Sequence, residues 1–279
     1  MAVRILTDST SDVPPDAAKE FGITIVPLYV HFGEEAYLDG VEITTDEFYR
    51  KLKEDKAFPI TAAPSPQTFA DYYDRLAGEN DEVLAIVLSS KLSATYDSAL
   101  KGRELCKSGS RVEIVDSLWA TLGLGVLVIA TARRAKEGAS LDELVAFARD
   151  DLKRVELRVA FDTLEYLRRG GRIGRAQALM GSILKVNPIL TIKDGLIDGI
   201  GRTRSREKAM DYLVEFTSSF PKISELLVGD ATTPDEAEML IDRLGAFYPR
   251  ERIYRTKVGA VVGTHVGPHV LGVAILPDT

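Results

Sequence analysis

The chain has 279 residues, 45% hydrophobic and 28% charged, with a formal net charge of −7. That length bounds one large or two medium domains with a substantial core, and the acidic balance argues against a general nucleic-acid binder. The single cysteine, Cys106, excludes an internal disulfide framework and suits a reducing compartment, so a cytoplasmic protein is expected.

Residues 3–6 read as a first strand, followed by the polar run Thr7-Asp8-Ser9-Thr10-Ser11-Asp12. Pro14-Pro15 opens a short helix that Gly22 stops. Residues 23–32 read as a strand with Pro27 near its start and His31 as a structural residue within it. Thr44 with Glu47 forms a capping box for a helix over 48–54. Two prolines and small residues keep Ile60-Thr61-Ala62-Ala63-Pro64-Ser65-Pro66 out of helix and strand, and a helix to Leu76 follows.

Residues 83–99 give strand, serine-rich loop and helix, with the loop at the carboxyl end of the strand, where open α/β sheets bind ligands. Ser93 reads as the N-cap. The helix start there either attracts an anion or is a capped helix with no ligand. Cys106 falls in the last turn of that helix as a buried structural thiol. Residues 111–115 form another strand. The uncharged run 118–132 is too short and too glycine-broken to span a membrane and reads as a helix buried on most sides. Ser140 with Glu143 caps an amphipathic helix to about residue 155.

From Leu157 the rhythm changes: a strand over 157–161, a short helix ended by Gly170-Gly171, and a helix-like stretch to Leu184. A hairpin turns at Asp194-Gly195, a type I′ signal. A helix to Phe216, a strand at 226–229, a helix capped by Thr233 with Glu236, and strands at 252–257 and 271–276 complete the chain. The expected fold is α/β, with two α/β domains, 1–156 and 157–279. The first holds a largely parallel sheet flanked by helices and the second is mixed α/β.

Elbow, Walker, dinucleotide-binding and cysteine–histidine metal signatures are missing from the sequence. His265 and His269 are four apart, but Pro268 keeps them off one helix face, so no metal site is expected. What remains is a set of hydroxyl loops and one histidine between glycines. Arg168, Arg169, Arg172, Arg175, Arg202, Arg204 and Arg206 concentrate basic charge in the second half. They form either a solvated face with local ion pairs or a phosphate-recognising surface.

Six ordered blocks carry a resemblance over essentially the whole chain: the polar run 7–12, the loop 60–66, Ser89-Ser90-Lys91-Leu92-Ser93-Ala94-Thr95-Tyr96, Arg169-Gly170-Gly171-Arg172-Ile173, Pro188-Ile189-Leu190 with Lys193-Asp194-Gly195, and Gly263-Thr264-His265-Val266-Gly267-Pro268. Together they resemble the DegV family. The resemblance implies a non-catalytic, FakB-like carrier that binds one long-chain fatty acid, such as hexadecanoate, between its domains. It further implies delivery of the carboxylate to a FakA-like fatty acid kinase that makes the acyl phosphate for phospholipid synthesis, with transient membrane contact.

The carried-over site is Thr61, Ser93 and His265, with Ser9, Thr10, Ala62, Ala94 and Thr95 beside them. Arg202, Arg204 and Arg172 are the partner-contact candidates, and no cofactor is implied. Ala94 and His269 stand where the family usually has glycine. The apolar segments 118–132 and 176–184 are candidate tunnel walls. The alternative is a small-anion hydrolase or transferase with Ser93 as nucleophile and His265 as base.

Overall fold

The computed structural model describes residues 2–55, 57–77, 82–180 and 186–278. Strand β1 (Val3–Asp8) runs into a 3-10 turn at Ser9–Ser11, capped by the Asp8 carboxylate accepting from the Thr10 amide. Helix α1 (Pro15–Phe21) follows and ends at Gly22. The expected single strand at 23–32 is two, β2 (Thr24–Val26) and β3 (Tyr29–Phe32), in different sheets. Pro27 lacks the amide hydrogen that would continue the ladder, and the Leu28 amide donates to Ser9 Oγ at 3.1 Å instead.

β4 (Glu35–Leu38) precedes α2 (Thr45–Glu54), where both halves of the Thr44–Glu47 capping box are formed. The segment expected to avoid regular structure supplies β5 (Ile60–Ala62), paired to β3, because its prolines come only after the paired residues. Then come α3 (Pro66–Leu76), β6 (Glu82–Val87), α4 (Thr95–Leu105), β7 (Val112–Asp116), α5 (Thr121–Lys136) and α6 (Leu141–Asp151). Ser93 is not the N-cap of α4: Ala94 holds that position, and the Ser93 hydroxyl lies 2.9 Å from Thr95 Oγ1. Cys106 is only half-buried, its thiol 3.0 Å from Asp74 Oδ1.

The second half comprises β8 (Glu156–Phe161), α7 (Glu165–Arg169), a 3-10 segment at Gly174–Leu179, β9 (Asn187–Lys193), β10 (Leu196–Thr203) and α8 (Arg206–Ser218). It closes with β11 (Ile223–Asp230), α9 (Pro234–Leu244), β12 (Ile253–Lys257), α10 (Ala260–Val266) and β13 (Val270–Pro277). Asp194 and Gly195 both have positive φ, 53° and 81°, as a type I′ hairpin needs. The expected helix to Leu184 is 3-10 as far as Leu179, and its last part lies outside the described residues. Thr233 forms no capping box: Asp230 Oδ2 accepts from its amide, while Glu236 takes Arg206 at 2.7 Å.

Three sheets result among the described residues. The first, β2-β1-β6-β7, is wholly parallel; the second, β10-β9-β8-β13-β11-β12, is mixed; a small antiparallel sheet, β4-β3-β5, stands beside them. Helix α5 lies between the first two. Residues 121–132 are all buried, so the run has no polar face and reads as apolar throughout. The largest apolar cluster is common to both halves: Ile5, Leu84 and Leu124 belong to it, and so do Leu157, Leu227 and Leu276. Among the described residues no helix is long and apolar enough to cross a membrane.

Candidate functional site

Helix α10 carries His265 into a cavity of about 210 Å³. One wall comes from the first half: Thr10, Leu28, Thr61, Ala62, Leu92, Ser93 and Ala94, with Thr121 at the start of α5. The other comes from Leu167, Arg172, Ile192, Ile197 and the α10 face Val261, Val262, His265 and Val266. A second, largely apolar cavity of about 40 Å³ adjoins it, with Thr121, Ile192, Ile197, Val262 and Val266 in both walls. The space is thus polar at one end and apolar at the other.

The polar end is built on one pair. Thr61, on edge strand β5, places its Oγ1 3.0 Å from His265 Nε2. Burial and the nearby Arg172 guanidinium hold the imidazole down at about 4, so it is neutral near pH 7. Its Nδ1 is buried without a partner. A buried N–H left unpaired costs more than an idle ring lone pair, so the proton belongs on Nε2, donating to Thr61. The Thr61 hydroxyl proton is then free for a ligand in the cavity. Arg172 is the one charged residue on this wall. Its guanidinium donates to the carbonyls of Leu92 and Gly170, at 3.3 and 2.8 Å, and is exposed, with no carboxylate paired to it among the described residues.

Tight packing fixes the histidine. A Cβ on Gly170 would overlap the His265 ring, and one on Gly267 would overlap the Tyr166 ring. Tyr166 in turn packs against Phe58, which lies under the Arg169 guanidinium at 3.9 Å. The Arg-Gly-Gly-Arg block therefore packs on α10, with glycine at 170 because the His265 ring occupies the place of a side chain and at 171 because φ there is 69°.

Below α10, three buried carboxylates tie the site to the scaffold. Asp39 accepts from the Ala260 and Val261 amides at the helix start, at 3.0 and 3.3 Å. Asp12 accepts from the Gly259 amide at 2.8 Å and the Thr121 hydroxyl at 2.6 Å, joining α10 to α5. Asp8 takes Thr10 and the Leu88 amide. Burial raises all three above the usual carboxylate range, Asp12 to about 8, and their mutual repulsion adds to Asp8 and Asp12.

Of the residues expected at the site, Thr61, Ala62, Ser93, Ala94, Thr10 and His265 line one cavity, and Thr95 is the buried partner of Ser93. Ser9 does not join them: it holds the Leu28 amide and faces a separate surface recess with Asp12 and Asp39. Arg172 lines the cavity, whereas Arg202 is exposed and donates to the Leu179 carbonyl, and Arg204 is exposed beside Asp162 and His269. Thr121 and the carboxylate bracket were missed. Asp8 and Asp12 look like ligand-facing polar residues in the sequence, and their burial shows only in three dimensions. Among the described residues no cluster of His, Cys, Asp and Glu could hold a metal ion.

Comparison with known proteins finds likenesses along nearly the whole chain. The model of the DegV family of uncharacterised proteins matches residues 2–278. A DegV domain-containing protein of Caldanaerobacter subterraneus subsp. tengcongensis is 38% identical over 97% of both chains. A solved structure of a DegV family protein from Thermus thermophilus, described for its fatty acid binding, has a TM-score of 0.91 at 34% identity and covers both chains fully. The structure of DegV from Bacillus subtilis, described as a fatty acid binding protein, has a TM-score of 0.89 at 31% identity, again with full coverage.

Proposed function

The chain belongs to the DegV family, and from that premise we propose that it is a carrier of one long-chain fatty acid whose carboxylate it offers to a partner kinase. The observation that carries this reading is the two-ended cavity: a hydroxyl–imidazole pair beside the Arg172 guanidinium at one end, apolar walls at the other. The carboxylate meets Thr61, His265 and Ser93, and the alkyl chain runs past Val262 and Val266 into the apolar cavity. At ~0.8 kcal/mol per methylene, burial of a C16 chain contributes on the order of 10 kcal/mol before ordering costs. The donors at the other end offset desolvation of the carboxylate. Two relatives that cover the whole chain are described as fatty-acid binders, which supports the same reading.

The kinase step rests on the exposed basic residues Arg202 and Arg204, as arginine pairs bidentately with phosphate. The expected location is cytoplasmic, with transient membrane contact when ligand is exchanged. The hydrolase alternative needs a Ser93–His265 pair, whereas Ser93 bonds Thr95 and His265 bonds Thr61. That partition favours a carrier over an enzyme.

Native mass spectrometry of the purified protein, followed by denaturing extraction, tests the reading. One bound fatty acid, lost or weakened in Thr61→Ala and Ser93→Ala, is the expected result. A protein that stays empty after incubation with saturated and unsaturated fatty acids overturns it. With a fatty acid kinase and ATP added, Ser93→Ala should lose acyl phosphate formation, and an intrinsic hydrolytic turnover lost in that variant would instead establish the enzyme.

A further inference from the structure

The floor of the small apolar cavity is a single cross-strand row of the mixed sheet. Leu190 of β9 pairs with Val159 of β8, Val159 with Gly272 of β13, and Gly272 with Gly229 of β11. All four line the cavity. Side chain is present at one end of the row and missing at the other, so the floor steps down from leucine through valine to two bare glycines.

Leu122, at the start of α5, fills that step. A Cβ on Gly229 would overlap the Leu122 side chain, and one on Gly272 would lie 3.2 Å from Leu122 Cδ1 and 3.0 Å from Val159 Cγ2. Leu122 is fully buried and also lines the cavity. The room at the apolar end is therefore decided by how deeply one side chain sits in a notch made by two neighbouring glycines.

We propose that Leu122, seated on Gly229 and Gly272, is the stop that sets how long an acyl chain this protein accepts. This rests on the fatty-acid reading above. A chain entering from the His265 end is directed along Val262 and Val266 toward the row, and it ends where Leu122 blocks the step. A shorter residue at 122 lengthens the trough. A methyl group on either glycine raises Leu122 out of the notch and shortens it. Close helix–sheet packing alone would also favour glycine here, but it requires no change in ligand length when the notch is altered.

The two directions make the test. Wild type, Leu122→Ala and Gly272→Ala are loaded with an equimolar mixture of straight-chain fatty acids, and the bound species are read by native mass spectrometry and extraction. Leu122→Ala should move the bound distribution to longer chains by about two to three carbons, the volume the leucine gives up. Gly272→Ala should move it to shorter ones. Should either variant fold poorly, Leu122→Val gives a smaller shift in the same direction as Leu122→Ala. A loaded wild type whose distribution is unchanged in the folded variants overturns the stop while leaving the carrier reading intact. An empty wild type overturns the carrier reading itself, and the stop with it.

Discussion

Gly170 has an ordinary φ of −76°, so alanine there would be tolerated by the backbone dihedrals and rejected chiefly by the His265 ring. Gly170→Ala should therefore keep the circular dichroism spectrum and lose most fatty-acid binding, measured by displacement of a fluorescent fatty acid. Retained affinity would show that the imidazole position is immaterial. The pH responses of two buried groups have opposite signs. His265 is held below its ordinary 6.5, so the unfolded chain takes up its proton first, and this contribution to stability is lost as pH falls from 6.5 through about 4. Asp12 is raised from 3.8 to about 8, so its contribution is complete below 3.8 and lost as pH rises through about 8. Asp12→Asn keeps a carbonyl acceptor for the Gly259 amide and removes the titration. Its Tm should fall less than that of wild type between pH 6 and 9, and parallel curves would refute the assignment. At this scale the resemblance carried by their blocks pointed to Thr61, Ser93 and His265, which line one cavity. It did not show that Asp8 and Asp12 are buried brackets, because a carboxylate beside hydroxyls looks the same whether it faces water or two helix starts.

Helix starts give the clearest contrast between elements. Thr44 and Ser140 each close a full capping box with the glutamate three residues on, whereas the Thr233 hydroxyl is buried without a partner and Asp230 does the capping. Thr44→Ala and Ser140→Ala should each cost about 1 kcal/mol in urea denaturation, and Thr233→Val should cost less than either. A Thr233→Val loss equal to the other two would contradict the role given to Asp230. Strands and helices were readable where local chemistry is decisive, as at Pro15, Gly22, Ser140 and Asp194-Gly195. They were misread where a neighbour decides. β5 exists only because β3 offers an edge, and β2 ends because the ladder cannot pass Pro27. Ser93 leaves the cap position because its hydroxyl turns to Thr95.

At the scale of the whole molecule, a ligand that binds only the folded chain must stabilise all of it. At a free concentration of 100 times Kd the gain is about 2.7 kcal/mol, which for a chain of this size corresponds to roughly 5 °C in Tm. Delipidated protein should melt lower by that margin and recover on adding fatty acid, as read by calorimetry. The alternation of strand and helix was enough to announce a parallel sheet first and a mixed unit after residue 156. How the halves meet was not legible, because α5 is apolar on every side and its sequence does not say which surface each face will cover. The apolar cluster it anchors reaches from Ile5 to Leu276 and takes side chains from both. The proposed division at 156 falls between Val155 and Leu157, both buried. Neither piece is therefore a module that can be borrowed. Expressed alone, 1–156 would leave one side of α5 uncovered and 157–279 would leave a face of its sheet bare, so fragments or fusions built at that point should aggregate, while the intact chain unfolds in one step.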